Sequence, residues 1–404
     1  MTLAVRVLIG LVCGFLLGLS IAGSSSTAAV TILAILAPVG TIFVNLIRLV
    51  VVPLVMSLVI ASVGSMTSAG GFGRIAMRGV LIAVGLLSTA AAGTVLVARP
   101  VLARITMDQA AALALRSADA TVSLTSSTTL SQWIVDLVPQ NVIKAAADGS
   151  LLPVILFAVL FGLALGHVSD ARRTAVLQVV EGIAETMQRL VVWVLWLAPF
   201  GVFALAVPLA ARLGLSAAGA VVGYIVLVVA LTVIEVALLL YPLGIMAGPM
   251  SASAFVSYCA PSQAIAFSSR SSPAALPAMV ESAERAGLPP DTSRFVLPLT
   301  VSVFHFGTAI AQTVGVLFLA RLFGVTLNAP ELVIVVVTVV LVSFAVPGIP
   351  GGSIIAMVPV LTAANLPIDG IGILLAVDTI PDMFRTTANL TGAMTLGAIL
   401  ARKR

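Results

Sequence analysis

An all-α polytopic membrane protein, with eight transmembrane helices and two re-entrant helical hairpins, is the fold this sequence predicts. Three observations lead there. The 404-residue chain is 60% hydrophobic and only 9% charged, with a mean hydropathy of +1.22; a soluble domain could not cover its surface with so few charges. Its apolar residues come in runs long enough to cross a bilayer. Two later segments are equally apolar but are interrupted by Pro, Gly and Ser where a spanning helix should be continuous. The net charge of +5 does not point to nucleic acid, because the basic residues sit in short loops between apolar runs, where they set topology. Two distant cysteines, Cys13 and Cys259, suggest neither a disulfide framework nor a metal site.

In chain order, the first apolar run covers residues 3–22 and is followed by a second, so it reads as a span and not a signal peptide. After the uncharged GSSSTAA loop, residues 30–66 form a stretch too long for one upright helix unless it is tilted or kinked at Pro38 and Pro53. A third span covers 80–102, and the polar residues 106–149 read as an extramembrane insertion. The fourth, fifth and sixth spans fall at 151–167, 176–207 and 217–246. Arg74 with Arg78, Arg172 with Arg173, and the terminal ARKR then share one side of the membrane, which the positive-inside rule makes cytoplasmic together with both chain ends.

The interrupted segments are 251–287, with SSRSSPAALP at its centre, and 329–367, broken by VPGIPGGS. Non-helical backbone at membrane depth is tolerated only where it is buried in protein or lines a cavity, and paired interruptions of this kind point to a transporter's binding site. As re-entrant hairpins they enter from opposite sides, with span seven (295–323) between them and span eight after them. Each hairpin and the helix that follows it make one unit, and the two units have opposite topology. That inverted repeat brings both tips towards span eight near the midplane.

Span eight carries Asp378, Asp382, Arg385, Thr386 and Asn389, at offsets of 4, 7, 8 and 11 from the first. At ~100° per residue these side chains share an arc of roughly 100°. Each ionisable group at this depth costs about 2.5–3.5 kcal/mol on insertion scales, so the stripe must face protein, water or a charged ligand. An ion pair between Asp382 and Arg385, one turn apart, would account for that pair but not for Asp378, Thr386 and Asn389. Arg385 offers a planar fork suited to a carboxylate, Asp382 a partner for an ammonium, and Thr386 with Asn389 donors and acceptors for a second carboxylate. Backbone N–H groups at the hairpin tips favour an anion. Arg270 in the first tip is an alternative carboxylate partner or a counter-charge to Asp382. The set suits an acidic amino acid. An intramembrane aspartyl protease is disfavoured because Asp378 and Asp382 share one helix, whereas that chemistry needs two facing aspartates. An anion channel would also use arginines and polar tips, and saturable exchange would separate it from a carrier.

SSRSSPAALP, GIPGGS and DxxxDxxRTxxNxxG resemble the dicarboxylate/amino acid:cation symporter family, the glutamate transporter homologues. IRLVVVPLVMSLVIASV in span two, LVPQN before span four and LAPFGVFALA in span five extend the resemblance over nearly the whole chain. It implies a homotrimer in a bacterial inner membrane, working as a secondary transporter of aspartate or glutamate by an elevator motion. Residues 1–75 and 106–210 would form a scaffold, and residues 76–105 and 211–404 a moving transport domain. Carried over, Arg385 would hold the substrate's side-chain carboxylate and Asp382 its amino group. Asn389 and Ser272 would hold the main carboxylate, with Thr308, Thr386 and the Gly351 region closing the pocket. Members specific for C4-dicarboxylates do not keep the aspartate matching Asp382, so acidic amino acids are favoured and a C4-dicarboxylate is the alternative.

One departure concerns the driving ion. The family's Asn-Met-Asp-Gly-Thr in span seven appears as FHFGT, so its asparagine and aspartate become Phe304 and Phe306. The span-eight aspartate becomes Ala393. In sodium-coupled members both aspartates are sodium ligands; here Ser88 and Thr89 keep hydroxyls and Asp378 a carboxylate, a weak set. The expectation is sodium-independent binding, with transport either proton-coupled or uncoupled, although a sodium site of backbone carbonyls stays open. His305, with an ordinary pKa of ~6.5, and Glu235, alone in span six, are the candidate proton carriers; a core imidazole bonded to a carbonyl would equally explain His305.

Overall fold

The computed structural model describes residues 3–401 apart from 23, 25, 68–72, 105–134, 136, 149, 214–215, 291 and 350. Most of the insertion expected at 106–149, and Pro350, therefore lie outside the described residues. Every regular element among the described residues is helical.

The first half comprises α1 (Leu3–Ser20), α2 (Thr27–Thr67), α3 (Gly73–Ala103), the short α4 (Val142–Ala147), α5 (Leu151–Leu165), α6 (Asp170–Trp196) and α7 (Ala198–Leu213). α2 keeps Pro38 and Pro53 inside one 41-residue helix. At 1.5 Å per residue that is ~60 Å, about twice the hydrocarbon thickness, so it cannot stand upright in the bilayer core. The LVPQN motif starts α4: Asn141 Oδ1 accepts from the N–H groups of Ile143 and Lys144 at 2.9 and 3.1 Å. Span five is not the single helix expected, since α6 and α7 bend by 56°. Pro199, just past the junction, withholds the N–H that would continue the ladder.

α1 packs on α7 through glycines at every fourth position. A Cβ at Gly10, Gly14 or Gly18 would lie 2.3, 2.6 or 2.4 Å from the carbonyl oxygens of Pro199, Phe203 and Val207. In lipid, where apolar burial gives helices no drive to associate, such small residues let backbones meet.

The second half starts with α8 (Ser216–Glu235), a π-helical turn (Val236–Leu240) and α9 (Tyr241–Ala247), which together make span six. The first hairpin is α10 (Ala252–Ser269) and α11 (Ser272–Arg285). It reverses at Arg270, a non-glycine residue in the left-handed region (φ 54°), and Ser271 caps α11 by accepting from the Ala274 N–H. Span seven is broken: a π-turn (Thr292–Val296) and α12 (Leu297–Val303) are separated from α13 (Phe306–Leu322) by extended Phe304 and His305. The second hairpin rises as α14 (Ala329–Val342), capped by reciprocal Asn328 and Glu331 bonds. It returns in two pieces, α15 (Gly352–Ile355) and α16 (Val358–Ala363), after Gly351 at φ 75°. Span eight is also broken, into α17 (Gly370–Val377) and α18 (Thr379–Ala401), with Asp378 at the junction.

Four helical stretches, 27–65, 77–103, 219–247 and 297–322, are individually long and apolar enough to cross a membrane, and the bent α6–α7 pair makes a fifth. α1 and α5 are shorter, and span eight is split and carries the charged stripe, which explains why these do not qualify one by one. α1, α2, α5, α6 and α7 pack among themselves, while α3, α8, α9, α10 and α13 surround α18 or one another. The two groups meet where α17 touches α7 and α1, where α14 and α16 touch α5, where α8 touches α7 and where α3 touches α2. Large apolar side chains such as Trp193, Trp196, Phe200, Leu96 and Leu238 point outward, as expected of a surface in contact with lipid or another subunit.

Candidate substrate site

The site is assembled by the two helix breaks. At the first, α13 begins beside α18 so closely that a Cβ on Gly307 would lie 2.4 Å from the Arg385 carbonyl oxygen and 2.9 Å from Ala388 Cβ. That approach sets the first turn of α13 against Asn389, whose Oδ1 accepts from the Thr308 N–H at 3.2 Å and whose Nδ2 reaches Thr308 Oγ1 at 3.5 Å. His305 Nδ1 donates to the Ser343 carbonyl at 2.9 Å and ties the break to the end of α14.

At the second break, Asp378 closes back on the helix that follows it. Arg385 makes a two-point ion pair with it, Nη1 to Oδ1 at 2.8 Å and Nη2 to Oδ2 at 2.9 Å, and Nη2 also reaches Asp382 Oδ1 at 2.6 Å. Thr386 Oγ1 donates to the same Asp382 oxygen at 3.3 Å. Asp382 Oδ2 is buried with no hydrogen-bond partner. The internal ion pair weighed from sequence is thus present and larger than expected, since Asp378 is its bidentate member.

Arg270, Ser272, His305, Thr308, Asp382, Arg385, Thr386 and Asn389 line one cavity, with Val346–Ile349 and Ser353 of the second hairpin as its remaining wall. Its free volume is about 20 Å³, far below the hundreds of Å³ of a formed ligand site. A second cavity of about 410 Å³ lies between α2, α6, α12 and the hairpin tips, and shares His305, Val346, Pro347 and Gly348 with the first. The tips touch: a Cβ on Gly348 would lie 3.2 Å from the Pro273 ring.

The remaining expected residues fall elsewhere. Gly351 faces Leu375 and Leu195 and is not on the wall; residues 346–349 and Ser353 take the place expected of its region. Glu235 lies between α8 and α3, bonded to Thr94. Phe304, Phe306 and Ala393 are fully buried, the two rings 6.4 Å apart, with the Phe304 ring and Phe306 Cβ against the position a Gly392 side chain would occupy. Thr89 is exposed and bonds the carbonyl of Gly85 in its own helix, while Ser88 is half-buried. Two phenyl rings and a methyl offer no oxygen, so these side chains do not fit a dehydrated sodium ion. Gln312 and Ser353 were not singled out from sequence. Gln312 Nε2 donates to the Ser353 carbonyl at 2.8 Å, behind the cavity wall. The available signal was helical spacing, Gln312 standing four residues after Thr308 as the one amide of an apolar span.

A charged pocket inside a helical bundle, bounded by two re-entrant tips and two broken spans, defines a membrane carrier for a small polar solute. The chain belongs to the sodium:dicarboxylate symporter family, whose model matches residues 3–403, and it is therefore a transporter and not an enzyme. It is 29% identical to the proton/glutamate-aspartate symporter of Escherichia coli K12 over 99% of this chain and 92% of that protein. It is 27% identical to the proton/sodium-glutamate symport protein of Bacillus subtilis 168, again over 99% and 92%. A C4-dicarboxylate transport protein of Rhodospirillum rubrum is 26% identical over 99% of this chain and 88% of its own length.

Proposed function

We propose that the protein carries acidic amino acids, aspartate or glutamate, through a sodium-independent, proton-driven cycle. The observation that carries the substrate reading is Asp382 Oδ2, a buried carboxylate oxygen without a donor, in the same cavity as Arg385, Arg270 and the Asn389–Thr308 pair. An α-ammonium supplies the missing donor, and the cationic and amide groups receive two carboxylates. Succinate has no group for that oxygen. The names of the Escherichia coli and Bacillus subtilis relatives agree with an acidic amino acid, the second naming sodium as well as the proton, while that of the Rhodospirillum rubrum relative keeps a C4-dicarboxylate as the competing substrate.

Carriage follows from the walls of the site. Residues 346–348 separate the narrow pocket from the larger cavity, so displacing this tip opens one to the other, and the second hairpin acts as the gate. The group around α18, residues 76–105 and 211–404, moves as a transport domain against a scaffold of residues 1–75 and 106–210. In the bilayer the protein is a homotrimer of the bacterial inner membrane with both ends cytoplasmic; the lipid- or subunit-facing Trp193, Trp196 and Phe200 and the basic loops support that arrangement.

A binding screen of aspartate, glutamate and succinate, each with sodium and with choline, tests the reading. Aspartate or glutamate should bind with equal affinity in both salts and succinate weakly. Preference for succinate would overturn the substrate, and affinity that appears only with sodium would overturn the ion.

A further inference from the structure

Outside the substrate pocket stands one membrane-embedded acid, a proton-carrier candidate by sequence that the substrate reading does not use. Glu235 stands midway along the stretch 219–247, as the last residue of α8 before the π-turn. Thr94 Oγ1 of α3 donates to its Oε1 at 2.8 Å, and its Oε2 is buried without a partner. Around it the π-turn is wholly apolar, VALLL. Of the charged groups on neighbouring elements, Asp382 and Arg385 of α18 pair within the site, Arg321 closes the last turn of α13, and on α3 Arg78 stands near the start while Arg99, exposed, follows Thr94 near the end. Tyr224 of α8 packs on Phe318. No ion pair among the described residues includes Glu235.

An acid in a spanning helix without a counter-ion is either neutral or costly, and such groups mark ion and proton paths. π-Turns inside helices are likewise frequent at functional sites. Here the π-turn is connected to the substrate helix, because Thr395 Oγ1 of α18 donates to the Leu240 carbonyl at 3.3 Å. We infer that Glu235 is the group that takes up and releases the coupling proton, with Thr94 as its positioning residue. One proton from the water on the loading side forms an O–H bond at Oε2, converting carboxylate to carboxylic acid, and the same proton leaves on the other side; nothing is oxidised or reduced. Thr94 holds Oε1 in both states, so Oε2 is the oxygen that changes. His305 Nδ1–H is bonded to the Ser343 carbonyl at the foot of the gate, which leaves Nε2 as its basic nitrogen, so a His305 variant is the control for this assignment. This inference rests on the proton-driven reading above.

The experiment uses the full-length protein in liposomes, with labelled aspartate and an imposed inward proton gradient. Glu235→Gln should lose gradient-driven accumulation, falling to the level seen without a gradient, yet keep aspartate exchange at zero gradient within about threefold of wild type (~0.7 kcal/mol). Infrared titration should show a protonated-carboxyl band that Glu235→Gln removes. Thr94→Val should displace the pH midpoint of driven uptake without abolishing exchange, and this variant carries the test if Glu235→Gln does not fold. Driven accumulation that survives Glu235→Gln, or a midpoint unmoved by Thr94→Val, overturns the assignment, as does loss of coupling in His305→Gln alone. Wild-type protein that exchanges no aspartate at all overturns the substrate reading instead, and the infrared band then still decides whether Glu235 binds a proton.

Discussion

Arg385 and Asp382 show how one residue can be both satisfied and available. The arginine spends three charge-assisted bonds on two aspartates, which offset part of the cost of burying its charge. An incoming carboxylate has to compete with Asp382 for Nη2, while Asp382, once released, can turn both oxygens to an ammonium. Asp382→Asn should therefore weaken aspartate by about 2–5 kcal/mol, the range for a truncated buried charge pair, and leave succinate nearly unaffected. Competition against labelled aspartate measures both, and equal losses would remove Asp382 from the amino-group role. Arg385→Lys keeps the charge but cannot span both Asp378 oxygens; at least a tenfold loss of binding (~1.4 kcal/mol) is expected. The stripe itself was legible, because offsets of 4, 7, 8 and 11 repeat a helical face. The Asp378–Arg385 bond was not. Seven residues of helix rise ~10 Å, a gap that only a fully extended arginine reaching back to the carboxylate closes to 2.8 Å, and which of several acidic partners it takes is not written in the spacing.

At the scale of elements, signals written in backbone chemistry were readable and those held by tertiary bonds were not. Pro and Gly marked both hairpins, whereas the α6–α7 bend beside Pro199 was read as one continuous span. The break at Phe304–His305 has neither residue; it is maintained from outside by the bonds His305–Ser343 and Thr308–Asn389, which no local pattern reports. Two predictions belong here. Gly14→Val puts side-chain atoms against the Phe203 carbonyl and should lower the melting temperature of the detergent-solubilised protein. Gly85→Ala, where a Cβ meets nothing within 4 Å, should leave it unchanged or slightly raised. Equal effects would deny the α1–α7 contact its structural part. Cysteines replacing Pro273 and Gly348, where a Cβ on Gly348 would lie 3.2 Å from the Pro273 ring, should cross-link the two tips. Uptake should then stop and return on reduction, and full uptake by the linked protein would dismiss the second hairpin as gate.

For the whole molecule, the chemistry of the contact between its two packed groups bears on how they move. α17 lies on α7 and α1, and a Cβ at Gly372 would sit 2.2 Å from Leu205 Cδ1. The contact is close but apolar, with no ion pair between α17 and α7 among the described residues. Such a surface can slide at modest cost, because each arrangement offers similar dispersion contacts, whereas a lattice of buried ion pairs would fix one register. If the group around α18 travels as a rigid body, the Leu205–Gly372 neighbourhood must come apart in every cycle. A double variant, Leu205→Cys with Gly372→Cys, removes the side chain that would clash and supplies thiols at that contact. Oxidation should abolish aspartate transport while aspartate binding, measured on the same cross-linked protein, stays within about threefold (~0.7 kcal/mol), since neither position lines the pocket. Transport that continues with α7 and α17 covalently joined would mean that α17 does not move past the scaffold, and the cycle would then have to run through the hairpin alone.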